Sequence, residues 1–185
     1  MNRTLTHELV DLIRGKSIGE RDLHRASVTH PGCVVVPTVL ALGARQKMGG
    51  IALLTAVLHG FEAMCRVGNG VGRAHYKIWH NTATCGPFGS AMAAATLLQL
   101  TGLGFTGPPA ILEGDKGFFA AACPDAVPTA VIADAGAVWQ LRQTSIKPWP
   151  SCRHRHPAIE AVMGLANDEV DWGLLESVFP VEVRE

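Results

Sequence analysis

The stretch GIALLTAVLHGFEAMCRV, residues 50–67, brings Ile51, Leu54, Leu58, Phe61 and Cys65 back at intervals of three and four. That spacing puts one apolar stripe along a helix, so the segment predicts a long amphipathic helix from about Gly50 to Val67. Glu62 and Arg66 lie one turn apart on its flank and can pair there. Downstream, GPFGSAMAAATLLQL (86–100) is rich in Gly, Ser and Ala, which lets a helix approach its neighbours closely. It reads as a central, buried helix. Upstream, the apolar run from Val34 to about Gly43 favours helix, with Pro37 tolerated in a first turn.

Farther out, Leu5, Leu9, Leu12 and Ile13 share a helical stripe that Gly15 stops. The polar stretch RDLHRASVTHPG (21–32) has neither period and ends in a Pro-Gly turn signal, so it is expected to be loop. Beyond Leu100 the glycines and the Pro108-Pro109 pair call for turns. From Val138 to Ile146 apolar and polar residues alternate, which fits one strand stopped by Pro148 and Pro150. Two short helices are expected at the end, over 156–168 and 168–179. The fold class is therefore mainly α, with a helical main domain over 1–122 and a small α+β remnant over 123–185.

Composition narrows the functional classes. The chain has 185 residues, 48% hydrophobic, which suits one ordinary globular domain with a small appendage. Sixteen basic side chains cancel sixteen acidic ones, so no general field favours nucleic acid or an anionic membrane as partner. The amino terminus carries charges through what a secretory signal would keep apolar, and no apolar run is long enough for a bilayer. A cytoplasmic protein is expected. Cys33, Cys65, Cys85, Cys123 and Cys152 lie far apart with no CxxC pair, the usage of reduced thiols.

Four clusters hold residues suited to chemistry. Asp22, His24, Arg25 and His30 share the first polar loop; imidazole is matched to proton transfer at neutral pH, and arginine can fork onto a carboxylate. Around His80, the stretch HYKIWHNTATCGPFG (75–89) offers Asn81, Thr82 and Thr84 at a helix start, where hydroxyls, an amide and free N–H groups can hold an anion. Thr84 serves equally well as an ordinary helix cap. Lys147 stands between Ile146 and Pro148, where desolvation would lower its pKa; a snorkelling lysine is the plainer alternative.

The fourth cluster, CRHRHP (152–157), invites zinc through Cys152, His154 and His156, but no second ligand pair accompanies it, and no metal is assigned. The glycine-rich stretches at 68–75 and 102–107 sit between no clear strand and helix, so neither reads as a nucleotide fingerprint. No cofactor is called for. Cys85 as a nucleophile has no supporting pattern.

DLHRASVTHPGCVVVP (22–37), GFEAMCRVG (60–68), HYKIWHNTATCGPFGSAMAAA (75–95), GFTGPPAILEGDKGFF (104–119) and TSIKPWPSCRHRHPAIEA (144–161) closely resemble, in this order, segments of the MmgE/PrpD family. That family includes 2-methylcitrate dehydratase, cis-aconitate decarboxylase and iminodisuccinate epimerase. The resemblance implies a mostly helical main domain, a smaller α+β lid, a pocket for a di- or tricarboxylate, and metal-independent acid/base chemistry in a homodimer. Asp22 and His30 match the acidic and histidine positions of the first active-site loop, with His24 between them. His80 matches the histidine of the second block, and Lys147 the lysine after the lid's first strand.

Set against the family pattern, the chain is expected to lack a stretch between the first helix and the Asp22 loop, another between Leu100 and Gly102 that carries a family active-site lysine, and most of the lid after Ala161; Arg21 stands where the family is acidic. The function implied is a hydro-lyase of the 2-methylcitrate dehydratase type. Epimerisation or decarboxylation of a related polycarboxylate is the neighbouring alternative. A shortened, inactive helical module that oligomerises is the contrasting one.

Overall fold

A computed structural model describes residues 22–100, 102–149 and 151–165. The helix expected around Leu5–Ile13 and that expected over 168–179 lie outside the described residues. The chain divides into two compact units, the first reaching to Pro150 and the second beginning at Ser151.

In the first unit, helix α1 (Gly32–Gln46), helix α2 (Gly50–Gly70), the short α3 (Gly72–Tyr76) and α4 (Asn81–Leu97) follow strand β1 (Asp22–His24). A further turn of helix, α5 (Phe118–Ala122), and two 3-10 turns, Pro128–Val131 and Gln140–Gln143, lead into strand β2 (Thr144–Ile146). The fold is mainly α, as the periodicity predicts, with one two-stranded sheet.

The core is made by three helices that all touch one another, α2 packing on α4 and α1, and α1 also on α4. Val35, Val36 and Val39 from α1, Val57, Phe61 and Met64 from α2, and Cys85, Ala93 and Leu97 from α4 are buried together. The small residues set how near the axes come. A Cβ on Gly89 would stand 2.9 Å from the Gly60 carbonyl oxygen, and one on Gly60 would stand 3.0 Å from that of Gly89. At this glycine pair the backbones of α2 and α4 come close enough that larger residues would force the helices apart.

Three sequence expectations need correcting. First, α1 begins at Gly32, two residues before the apolar run, with Pro31 as its cap, so Pro37 lies inside the helix rather than in its first turn. The Pro31-Gly32 pair therefore starts a helix, consistent with the preference of proline for helix N-termini. Second, the polar stretch expected to be loop opens with β1, which pairs antiparallel with β2 in the register Asp22↔Ile146, Leu23↔Ser145 and His24↔Thr144. Third, the strand expected over Val138–Ile146 is only Thr144–Ile146; Gln140–Gln143 coils into a 3-10 turn that buries Gln140 and Leu141 against α2.

Helix α2, at 21 residues, is also long and apolar enough by length and composition to cross a membrane, which the reading of apolar runs excludes. Here it is the core element just described, with Ala56, Val57, Phe61, Met64 and Cys65 fully enclosed. In the second unit, a 3-10 turn over Arg153–Arg155 leads into helix α6 (His156–Leu165).

Candidate active site

Strand β1 alternates, so Asp22 and His24 point to one side and are both fully buried. The Asp22 carboxylate accepts the Gly32 N–H at Oδ2, 2.7 Å away, at the very start of α1. Glycine is needed at that position, because a Cβ there would meet Asp22 Oδ1 at 2.9 Å. Burial raises the Asp22 pKa above the ordinary carboxylate value. The bond from Gly32, the residue's own backbone, and the charges of His30 and Lys147 oppose that shift without cancelling it.

His30 comes back over β1. Its Nδ1 hydrogen-bonds the backbone carbonyl of Asp22, and its own N–H donates to Thr82 Oγ1 at 3.0 Å. In the structure the Asp22 carbonyl oxygen holds the ring, while the carboxylate is spent on Gly32. Because a carbonyl only accepts, His30 Nδ1 carries the proton, and Nε2 is the basic nitrogen of the neutral ring.

His80 caps α4 in an extended conformation, so the helix starts at Asn81, and Thr84 lies in its first turn rather than at the cap. The Thr84 hydroxyl donates to the His80 carbonyl at 3.4 Å. The His80 ring is exposed and lies parallel to that of His30, with centroids 6.2 Å apart and planes 20° from parallel. The Tyr76 ring is also 6.2 Å from that of His80, tilted by 47°. Lys147 follows β2 directly, is 1% exposed, and acts electrostatically on Asp22. Asp22, His30, His80 and Lys147 thus form one chain of neighbours, contributed by both strands and by the starts of α1 and α4.

His24 stands apart from this group. Its ring is enclosed, with Nδ1 taking the Ser27 hydroxyl at 2.7 Å and the Ser27 N–H at 3.3 Å. Ser27 in turn bonds the Thr29 hydroxyl at 2.6 Å, and Thr29 reaches Cys65 on α2. Burial lowers the His24 pKa to about 4, with Gln140 a smaller opposing influence, so the ring is neutral and shapes the loop. Cys85 is equally enclosed; burial pushes its thiol up to about 12, which removes the thiolate a nucleophile needs.

Tyr76, the ring neighbour of His80, also lines a cleft of about 600 Å³ together with Arg25, Asn69, Arg73 and Asn81; neither imidazole is part of that lining. Arg25 and Asn81 are sequence candidates. Asn69, Arg73 and Tyr76 are not: the first two lie in GNGVGRAH (68–75), which draws the eye only as a failed nucleotide fingerprint, and Tyr76 follows it. In the fold that stretch is the joint between α2 and α3, where Gly72 turns the chain with a φ of 77°. Arg66 of α2 bonds Glu62 Oε2, Ala133 O and Val138 O, each at 2.8 Å, while Glu62 Oε1 accepts the Gln140 N–H. This stitching fixes the segment that delivers β2 and Lys147.

In the second unit, Cys152 Sγ lies 3.4 Å from His154 Nδ1, a contact that lowers the thiol pKa, whereas His156 Nε2 faces the Ser151 carbonyl. Among the described residues no group of three His, Cys, Asp or Glu is disposed to hold a metal.

Residues 18–103 match the family model of the MmgE/PrpD N-terminal domain. Over that stretch, a little under half of the chain, the sequence is similar to the MmgE/PrpD family. The match takes in Asp22, His30, His80 and every residue named above as lining the cleft, and stops short of Lys147. Helices α1, α2 and α4 all lie within the matched stretch. A comparison with curated proteins gives no match.

Proposed function

We propose that the protein is a hydro-lyase of the 2-methylcitrate dehydratase type, eliminating water from a small hydroxy di- or tricarboxylate by side-chain acid/base chemistry. The observation that carries this reading is the parallel pair of His30 and His80 imidazoles, placed next to a buried carboxyl that feels the charge of Lys147. A hydrogen next to a carboxylate is only weakly acidic. Its removal needs a placed base and cations to take up the charge that grows on the carboxylate oxygens.

His30 is the base in this scheme, since its Nδ1–H is held by the Asp22 carbonyl and Nε2 is left to accept. Nε2 takes the proton, the C–H electron pair becomes the new C=C bond, and the C–O bond on the adjacent carbon breaks. His80 gives a proton to the departing hydroxyl, which leaves as water. His30 then carries one proton more and His80 one fewer, and exchange with solvent restores both. Arg25 and Lys147 anchor carboxylates; Asn81, Thr82 and Thr84 line the start of α4, whose free N–H groups favour negative charge.

We further propose that the working form is a homodimer, with no nucleic acid or membrane partner, in the cytoplasm. The exposure of Ile78 and Trp79, the two residues before His80, supports a second copy covering this edge.

The experiment is direct: incubate the purified chain with 2-methylcitrate, citrate or cis-aconitate and follow the ultraviolet absorbance of the unsaturated acid. A dehydratase raises that absorbance with a hydroxy acid, keeps doing so in the presence of chelator, and loses it in His80→Ala. Turnover untouched by His80→Ala, or none with any hydroxy polycarboxylate, would sink the proposal. Consumption of cis-aconitate with release of CO₂ would move the reading to decarboxylation.

A further inference from the structure

The cleft beside His80 holds two cationic groups and no anionic one along its lining. Arg25 comes from the turn after β1 and Arg73 from the first turn of α3, so two independent elements present guanidinium groups to one space. Among the described residues neither makes an ion pair, whereas Arg66 makes two. Asp125, the acid nearest to Arg73 in the hydrogen-bonding pattern, is committed to backbone. It accepts the N–H of Arg73 at 2.9 Å and that of Ala74 at 3.0 Å, capping α3.

The position of Arg73 is built by the backbone. Gly72 has a φ of 77°, and a Cβ there would stand 2.4 Å from Asp125 Oδ1, so the left-handed glycine and the acidic cap together aim the first turn of α3. Asn81 adds a separate requirement. It is 3% exposed, and its Nδ2 donates to the Ser27 carbonyl at 2.8 Å, which fixes the amide orientation and leaves Oδ1 with no partner. A buried acceptor without a donor is costly, and Asn81 is among the residues that line the cleft.

We infer that Arg73 is a second carboxylate anchor acting with Arg25, and that Asn81 supplies the acceptor for a ligand hydroxyl, so the cleft selects hydroxy acids with at least two carboxylates. This rests on the cleft being the substrate site of the reaction proposed above, and it adds Arg73 to the sequence candidates Arg25 and Asn81. A ligand with a single carboxylate can satisfy only one guanidinium. Arg73 is therefore a specificity residue, distinct from the imidazoles that move protons.

The test reads binding alone. Isothermal titration of the full chain compares citrate, propane-1,2,3-tricarboxylate, which has the carboxylates without the hydroxyl, and butyrate, which has one carboxylate. Arg73→Gln should weaken the two tricarboxylates by about tenfold or more, the loss of one charge-assisted bidentate contact, and leave butyrate unchanged. Citrate should bind the unaltered chain about threefold to tenfold more tightly than the hydroxyl-free acid, the worth of one hydrogen bond.

Should Arg73→Gln fail to fold by circular dichroism, Arg73→Lys carries the same comparison, since an ammonium keeps the charge and loses the fork. Equal affinities in variant and parent, or a parallel loss for butyrate, overturn the role of Arg73; citrate no tighter than its hydroxyl-free analogue overturns that of Asn81. Selective binding without any turnover leaves this inference standing and removes the dehydratase. Turnover with an unselective cleft does the reverse.

Discussion

Asp22 Oδ2 and the Gly32 N–H, 2.7 Å apart, join the first strand to the first helix across the loop that carries His30. One carboxylate oxygen thereby satisfies a helix-start donor that has no partner within the helix. Asp22→Asn keeps an acceptor oxygen at this position and Asp22→Ala does not. Both variants lose the charge facing Lys147, so the difference between them isolates the Gly32 bond. Asp22→Asn should be the more stable by about 1–3 kcal/mol, the cost of a buried donor left unpaired, in urea unfolding at neutral pH. Equal stabilities would show that the Gly32 N–H finds water instead.

His24 makes acid sensitivity predictable. Its folded pKa of about 4 lies below the ordinary value of 6.5, so between these limits the unfolded chain binds more protons than the folded one. Its contribution to stability is fully present above pH 6.5, is lost as pH falls, and levels off below about pH 4. The span corresponds to about 3 kcal/mol. The geometry agrees, since protonating Nδ1 would turn it against the Ser27 N–H that it now accepts. Unfolding free energies of the parent chain and His24→Gln, measured from pH 4.5 to 7.5, should converge toward the acid end. Parallel curves would mean that the ring is solvated.

The helices were legible because their signals are local. The stripe from Ile51 to Cys65 and the small residues after Gly86 depend only on spacing, and they mark the helices that make the core. What was hidden depends on distant pairing. Asp22–His24 has no strand signature of its own and becomes a strand because Thr144–Ile146 lies beside it. The run before that strand alternates as a strand would, yet it coils where Glu62 takes the Gln140 N–H. Site residues followed the same division. His30 and His80 stand out as imidazoles in polar stretches, whereas Arg73 matters only because Gly72 and Asp125 turn it toward a cleft that α2, α3 and the first loop enclose together.

Arg66 offers the sharpest separation of local from global stability. It sits on α2, and its guanidinium spans Glu62, the carbonyls of Ala133 and Val138, and the Asp134 carboxylate at 3.2 Å. Arg66→Met retains most of the apolar stem and removes every one of these bonds, while the core residues Val57, Phe61 and Met64 keep their neighbours. The lost contacts are partly solvated, so the global cost should be modest, about 1–3 kcal/mol. The local effect should be larger. Amide exchange should accelerate over residues 131–146, the segment that leads into β2, and stay slow in α1 and α4. Because Lys147 follows that strand, binding of tricarboxylates should weaken in step. Arg66→Lys should recover little, since an ammonium cannot reach several carbonyls and a carboxylate at once. If exchange instead accelerates uniformly along the chain, Arg66 supports the core itself, and the position of Lys147 must be set by the β1–β2 pairing alone.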